Sequence, residues 1–168
     1  MRTLTALGLA AAMTFGGGLA SAQELIDKGM VHGWNLMVDP QFGDGCLIQT
    51  VYQDLSVVRM GYDMIGGRGY LTIFNQAWGD IENGKEYPVT FDMDGEKFDA
   101  LATGIKDGKV SAAILFFEDR NFVNAIAKRK VMTVYGQNGQ EVMAIDLKGT
   151  AKALDYARQC QNEMTGGG

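Results

Sequence analysis

The chain reads as a mainly β protein, an antiparallel β-sandwich or open barrel of about eight or nine strands, with one crossing helix and a second helix at the C-terminus. Three observations predict it. Asp44-Gly45, Asn83-Gly84, Asp94-Gly95, Asp107-Gly108 and Asn138-Gly139 are pairs that accept the positive φ angles of tight hairpin turns. Between them, apolar residues alternate with period two, as strands buried on one face require. Only two prolines occur in 168 residues, so little interrupts a sheet. Connections this short cannot form parallel crossovers, so the expected pairing is antiparallel.

The N-terminus has a separate purpose. Arg2 is followed by an apolar run over residues 4–15. Gly16, Gly17 and Gly18 then break any helix, and Ala20-Ser21-Ala22 is a small-residue cleavage signature. The run is shorter than the roughly 20 residues a membrane-spanning helix needs. Residues 1–22 are therefore expected to be a signal peptide, 23–165 a single β-rich domain and 166–168 a frayed tail. The expected location is periplasmic or secreted, with no transmembrane segment. Lys plus Arg number 15 against 20 Asp plus Glu, and the formal charge of −5 deepens by one when Arg2 leaves with the leader. Such a chain lacks the cationic footprint that nucleic acids or anionic membranes attract.

Strands are expected at 34–38, 45–53, 55–63, 70–75, 87–93, 97–105, 110–116, 131–136 and 143–147, where apolar alternation or short apolar runs lie between turn signals. Two segments break that rhythm. Asp119 can cap a helix whose Phe122, Val123, Ile126 and Ala127 share one face, ending in Lys128, Arg129 and Lys130 where cations suit a helix C-terminus. A second helix is expected after Gly149, with Thr150 as N-cap and a stripe of Ala153, Tyr156, Ala157, Cys160 and Met164. His32 lies ahead of the first expected strand.

An exported chain with two cysteines, Cys46 and Cys160, most simply forms one structural disulfide. A redox pair would want Cys-x-x-Cys spacing, and zinc would want more ligands than two cysteines and one histidine. A Ser-His-Asp triad is disfavoured. Of the two serines behind the leader, Ser56 and Ser111, neither has a Gly-x-Ser-x-Gly elbow, and both fall inside expected strands. Asp92, Asp94, Glu96 and Asp99 form the densest acidic group. They read as solvated turn acids, with a weak cation site as the alternative, since the spacing is not that of an EF-hand loop. Gly66-Gly67-Arg68-Gly69 leads into a strand and lacks the Lys-Ser/Thr of a phosphate loop; it reads as a hairpin connection that can present Arg68. The methionines, Met60 and Met64 among them, read as core filler and not as a copper site.

The order of features carries a resemblance: Trp34-x-Leu36, Gly45-Cys46-Leu47-Ile48, Gly67-Arg68-Gly69-Tyr70-Leu71, Asn75-Gln76-Ala77-Trp78, Tyr87-Pro88-Val89, and the stretch from Ile145 through Gly149 to Cys160. It resembles small exported bacterial β-proteins of unassigned function and is more distantly similar to the invasion-associated locus B family. That family's pattern has further cysteines; this chain has two. The resemblance implies a sheet-based exported domain and carries over no catalytic residue.

The resulting expectation is a non-catalytic binding or interaction domain held by Cys46–Cys160, with no cofactor or metal. Its partner would be an envelope protein or a small ligand. Arg68, Tyr70 and Trp78 are the candidate contacts, because arginine and aromatic side chains dominate interfaces. Two alternatives are an inhibitor of an envelope hydrolase, a lysozyme or protease, acting through residues 66–69, and an acid/base enzyme built on a carboxylate with a raised pKa in a cleft.

Overall fold

A computed structural model describes residues 24–166. The expected signal peptide, residues 1–22, and the last two residues of the expected tail lie outside the described residues. Ten strands form one antiparallel sheet: β1 (Ile26–Val31), β2 (Trp34–Asp39), β3 (Gly45–Val51), β4 (Val57–Asp63), β5 (Arg68–Phe74), β6 (Glu86–Met93), β7 (Glu96–Asp107), β8 (Val110–Phe117), β9 (Val131–Tyr135) and β10 (Glu141–Asp146). Helix α1 (Arg120–Lys128) joins β8 to β9, and α2 (Thr150–Met164) follows β10. The spatial order is β1-β2-β3-β4-β5-β8-β7-β6-β9-β10, which is an open sheet.

The strand that sequence reasoning missed is β1. Its residues, Ile-Asp-Lys-Gly-Met-Val, show no clean alternation, and its turn is made by His32 and Gly33, both at positive φ (51° and 88°), instead of an Asn-Gly pair. His32 is thus the corner of a hairpin. A bulge between Asp27 and Gly29 interrupts the β1–β2 register, and the Asp27 carboxylate accepts the Gly29 N–H at 2.7 Å. The opposite edge, β10, is also bulged, between Glu141 and Met143. Bulges on both edges disfavour pairing with another chain.

One face of the sheet carries the main core. Trp34, Leu36, Val38, Cys46, Ile48, Val58, Met60, Leu71, Ile73, Leu115, Phe91, Met93, Met132, Val134 and Ile145 are buried there. From α1, Phe122, Ala125 and Ile126 enter this layer, and Phe122 meets Phe91, Phe98 and Phe117 edge-on at 5.3, 5.4 and 5.1 Å between ring centres. The buried face of α2 is Thr150, Ala153, Ala157, Cys160 and Gln161. Its small residues let the helix lie close to β2 and β3. Cys160 is bonded to Cys46, with their Cα atoms 6.1 Å apart, and the Gln161 amide oxygen accepts the Cys46 N–H at 2.7 Å.

Two details of α2 correct the expectation. The N-cap is Gly149, not Thr150, whose buried hydroxyl has no hydrogen-bond partner among the described residues. Gly149 has φ of 79° and passes so close to the His32 carbonyl that a Cβ would strike it, so glycine is required there. Tyr156 and Met164, expected in the buried stripe, are exposed; Tyr156 instead faces the His32 ring at 5.9 Å.

The end of β10 and the turn after it are tied back to β2 and to the residue after β3 without a strand ladder. The Trp34 indole donates to the Lys148 carbonyl at 3.2 Å, and the Tyr52 hydroxyl donates to the Asp146 carbonyl at 3.1 Å. Burial, with a smaller contribution from the Asp146 charge, pushes the Tyr52 phenol up to about 12, so it remains a donor at ordinary pH. The other face of the sheet holds a smaller cluster of Leu47, Tyr70 and Ile114, with Phe42 stacked 4.6 Å from Tyr70.

Candidate functional site: an apolar cavity beneath Trp78

The core layer is incompletely filled at one end. Leu71 and Ile73 of β5 stand opposite Leu115 and Ala113 of β8, and Ala113 stands opposite Gly104 of β7. On the other side Ala102 pairs with Tyr87 of β6, and Phe91 pairs with Val134 of β9. Large side chains would close this end. Alanines at 102 and 113 leave a cavity of about 370 Å³ instead.

The segment between β5 and β6 forms its lid. The Asn75 N–H donates to the Ser111 carbonyl at 2.9 Å, while the Asn75 side-chain and backbone oxygens accept the Ala77 and Trp78 N–H groups at 2.8 and 3.2 Å. This local turn is the reason the chain reverses after β5 and directs Trp78 over the cavity. Farther along, the Tyr87 hydroxyl accepts the Glu82 N–H at 2.9 Å. The Gly84 N–H donates to the Gly104 carbonyl and the Gly104 N–H to the Lys85 carbonyl, each at 2.8 Å. A side chain at 104 would collide with the Glu82 carbonyl, so glycine admits the lid at this point. Lys106 holds the lid from outside, donating to Ser111 Oγ at 2.7 Å and to the Gly79 carbonyl at 3.4 Å.

The cavity wall is apolar and aromatic, with Trp78, Tyr87 and Phe91 its largest side chains. Gln137 and Asp80 supply polar groups at the edge, and Asp80 is the one formally charged lining residue. The cavity offers burial for an apolar body and few fixed polar contacts, a composition suited to binding.

The three candidate contacts do not converge. Trp78 lines this cavity. Arg68 lies at the far end of β5, beside a separate cleft of about 590 Å³ between β4, β5 and the two helices. Its Nε donates to the Asp63 carboxylate at 3.0 Å and its guanidinium lies 3.6 Å from the centre of the Phe116 ring, so it is folded back onto the protein. Tyr70 is 1% exposed in the smaller core cluster and presents no surface to a partner. Its strand position, Leu47–Gly61–Tyr70–Phe116 across four strands, is that of a core residue.

Asp63 is the carboxylate of most interest in the Arg68 cleft. Burial alone would raise its pKa, but the Gly66 N–H, the Arg68 hydrogen bond and charge, and the Ile65 N–H outweigh that and hold it below the usual range. An acid poised to donate a proton would be shifted the other way. In the acidic group, Asp92 accepts the Gly95 N–H at 2.7 Å and sits 4.0 Å from Lys97, Asp99 accepts the Thr90 hydroxyl at 2.7 Å, and Glu96 pairs with Arg129 at 3.2 Å. These acids serve the hairpin and its neighbours. Ser56 lies one residue ahead of β4, donates to Asp54 at 2.7 Å and accepts from Asn75 at 3.0 Å; the His32 ring lies tilted against Tyr156. Neither arrangement is that of a nucleophile and its base.

Sequence reasoning singled out Trp78 among the lining residues, but not Ala102, Ala113, Tyr87, Asp80 or Gln137, nor Gly104 beneath the lid. The available signal was a tryptophan in a turn-forming segment, Asn75-Gln76-Ala77-Trp78, where a solvated loop has no need of one.

No family model matches the chain, and no curated protein matches it. Among solved structures, the chain is similar to invasion associated protein B from Bartonella henselae, with a TM-score of 0.58 and 16% identity over 80% of this chain and 97% of that one. The distant similarity expected from the sequence is therefore present in the fold.

Proposed function

We propose that the protein is a non-catalytic, exported binding domain that takes a small apolar ligand into the cavity beneath Trp78. The observation that carries this reading is a cavity of about 370 Å³, walled by apolar and aromatic side chains. Ligand sites typically occupy about 300–1,000 Å³ with such a lining. The Cys46–Cys160 bond fits an oxidising compartment, and the leader at residues 1–22 would direct a β-rich domain over 23–165 to the periplasm or beyond.

The test is titration of the mature protein with N-phenyl-1-naphthylamine, a neutral probe that fluoresces in apolar sites. Saturable binding at one site per chain is expected, with Trp78 emission changing in step, and Ala113→Leu should abolish it while the far-UV spectrum is retained. Absence of saturable binding, or equal binding by Ala113→Leu, overturns the reading.

A second reading concerns the β4–β5 connection. Ile65 is 76% exposed at its apex, while the Asp63 carboxylate braces the turn through the Gly66 N–H at 2.8 Å. A rigid loop with an apolar tip supports a protein contact such as inhibition of an envelope lysozyme or protease, with Arg68 behind it. Ile65→Asp should then abolish inhibition, and unchanged hydrolase rates at excess protein would remove the idea.

A further inference from the structure

The geometry points to a cationic amphiphile as the ligand of the Trp78 cavity: an apolar body carrying an amine or quaternary ammonium, with Asp80 as its counter-ion. The inference rests on the binding reading above and names the chemistry of that same site. Among the residues that line the cavity none is Lys or Arg, and Asp80 is the single formal charge. The nearest cations are already engaged outside it. Lys106 is held by Ser111 Oγ and the Gly79 carbonyl, and Lys85 is paired with Glu82 while lying 5.6 Å from the centre of the Tyr87 ring.

A carboxylate or phosphate entering with its alkyl chain would lose water against a wall that offers no positive charge, next to an acid of the same sign. An ammonium meets the reverse situation. Asp80 attracts it at the edge, and the negative π face of Trp78 accepts it as it enters. The chain's formal charge of −5 favours the same sign of ligand at longer range.

The experiment is displacement of bound N-phenyl-1-naphthylamine by decylammonium, decanol and decanoate at pH 7 and low salt. These ligands share a chain length and differ in charge. Decylammonium should displace best, decanol about threefold to fivefold less well, and decanoate at least about tenfold less well than decylammonium. Asp80 is exposed, so Asp80→Asn should keep the fold and, with displacement scaled to the probe affinity measured for that variant, bring decylammonium to the level of decanol. A carboxylate that displaces as well as the amine overturns the inference, as does decanol matching decylammonium on the native protein, or a preference that persists in Asp80→Asn. In each of those outcomes the probe still binds and the binding reading stands. If the probe itself does not bind, both fall together.

Discussion

At one end of the core face Phe122 lies among three other phenylalanines and Cys160 is bonded to Cys46. At the other end Ala102, Ala113 and Gly104 occupy the strand positions that face the interior, and Trp78 covers a cavity. Strands β6, β7 and β8 run through both regions, so the difference lies in side-chain volume and not in backbone architecture. Where helices cover the sheet, aromatic rings pack against one another and a covalent staple is added, and the cleft that remains opens beside Arg68. Where a loop covers it, small residues keep space free. A core braced by rings and a disulfide at one end can carry a looser one at the other, since stability need only be sufficient for the chain as a whole.

That comparison can be broken most directly at the filled end. Removing the disulfide by Cys46→Ala with Cys160→Ala should cost up to about 4–5 kcal/mol, the chain-entropy value for so long a loop. Urea unfolding of the native and variant proteins would measure it; a loss below about 1 kcal/mol would mean the helix is held by packing alone. Phe122→Ala comes next, at about 3–5 kcal/mol, because it opens a hole among rigid rings. The same measurement would show whether the helix-covered end dominates stability.

At the open end, Ala113→Leu should change stability by less than about 1.5 kcal/mol while eliminating probe binding, since the added methyl groups enter vacant space. A large destabilisation there would mean the cavity collapses in solution. The smallest effect belongs to Asp63. Its carboxyl is held low in the fold, so its contribution is present above the unfolded-state value of about 3.9 and is lost as pH falls through the folded value. Asp63→Asn should therefore be less stable than the native protein at pH 7, and the two urea midpoints should converge as the pH is lowered toward 3. Parallel curves would show that the Arg68 pairing does not couple to folding.

The filled end was far more legible in the sequence than the open one. Cysteine count and an expected export signal point to one disulfide, and Ile145 and Leu147 ahead of Gly149 mark the strand that precedes α2. Nine of the ten strands follow from alternation and turn pairs, because half-buried antiparallel strands write their pattern locally. The tenth, β1, is exposed along most of its length and carries a glycine bulge, so no period two survives in it. The cavity could not be read for a different reason. Ala102, Ala113 and Tyr87 look ordinary in their own strands, and the vacancy arises only from register across β6, β7 and β8. Tyr70 shows the converse error: an aromatic was expected at an interface, but period two puts it with Arg68 on the face of the smaller core cluster, where Tyr70 is buried against Phe42 and Arg68 lies over Phe116.

The bond between Cys46 and Cys160 spans 114 positions, and everything from β4 to β10, with the cavity and its lid, lies within the ring it closes. Tension applied between the two ends of the chain would run through the sulfur bridge and extend only the first hairpin and the final residues. The part that holds the cavity would carry no load. A protease that cuts the lid would likewise leave one covalent molecule, separable into two only by a reductant.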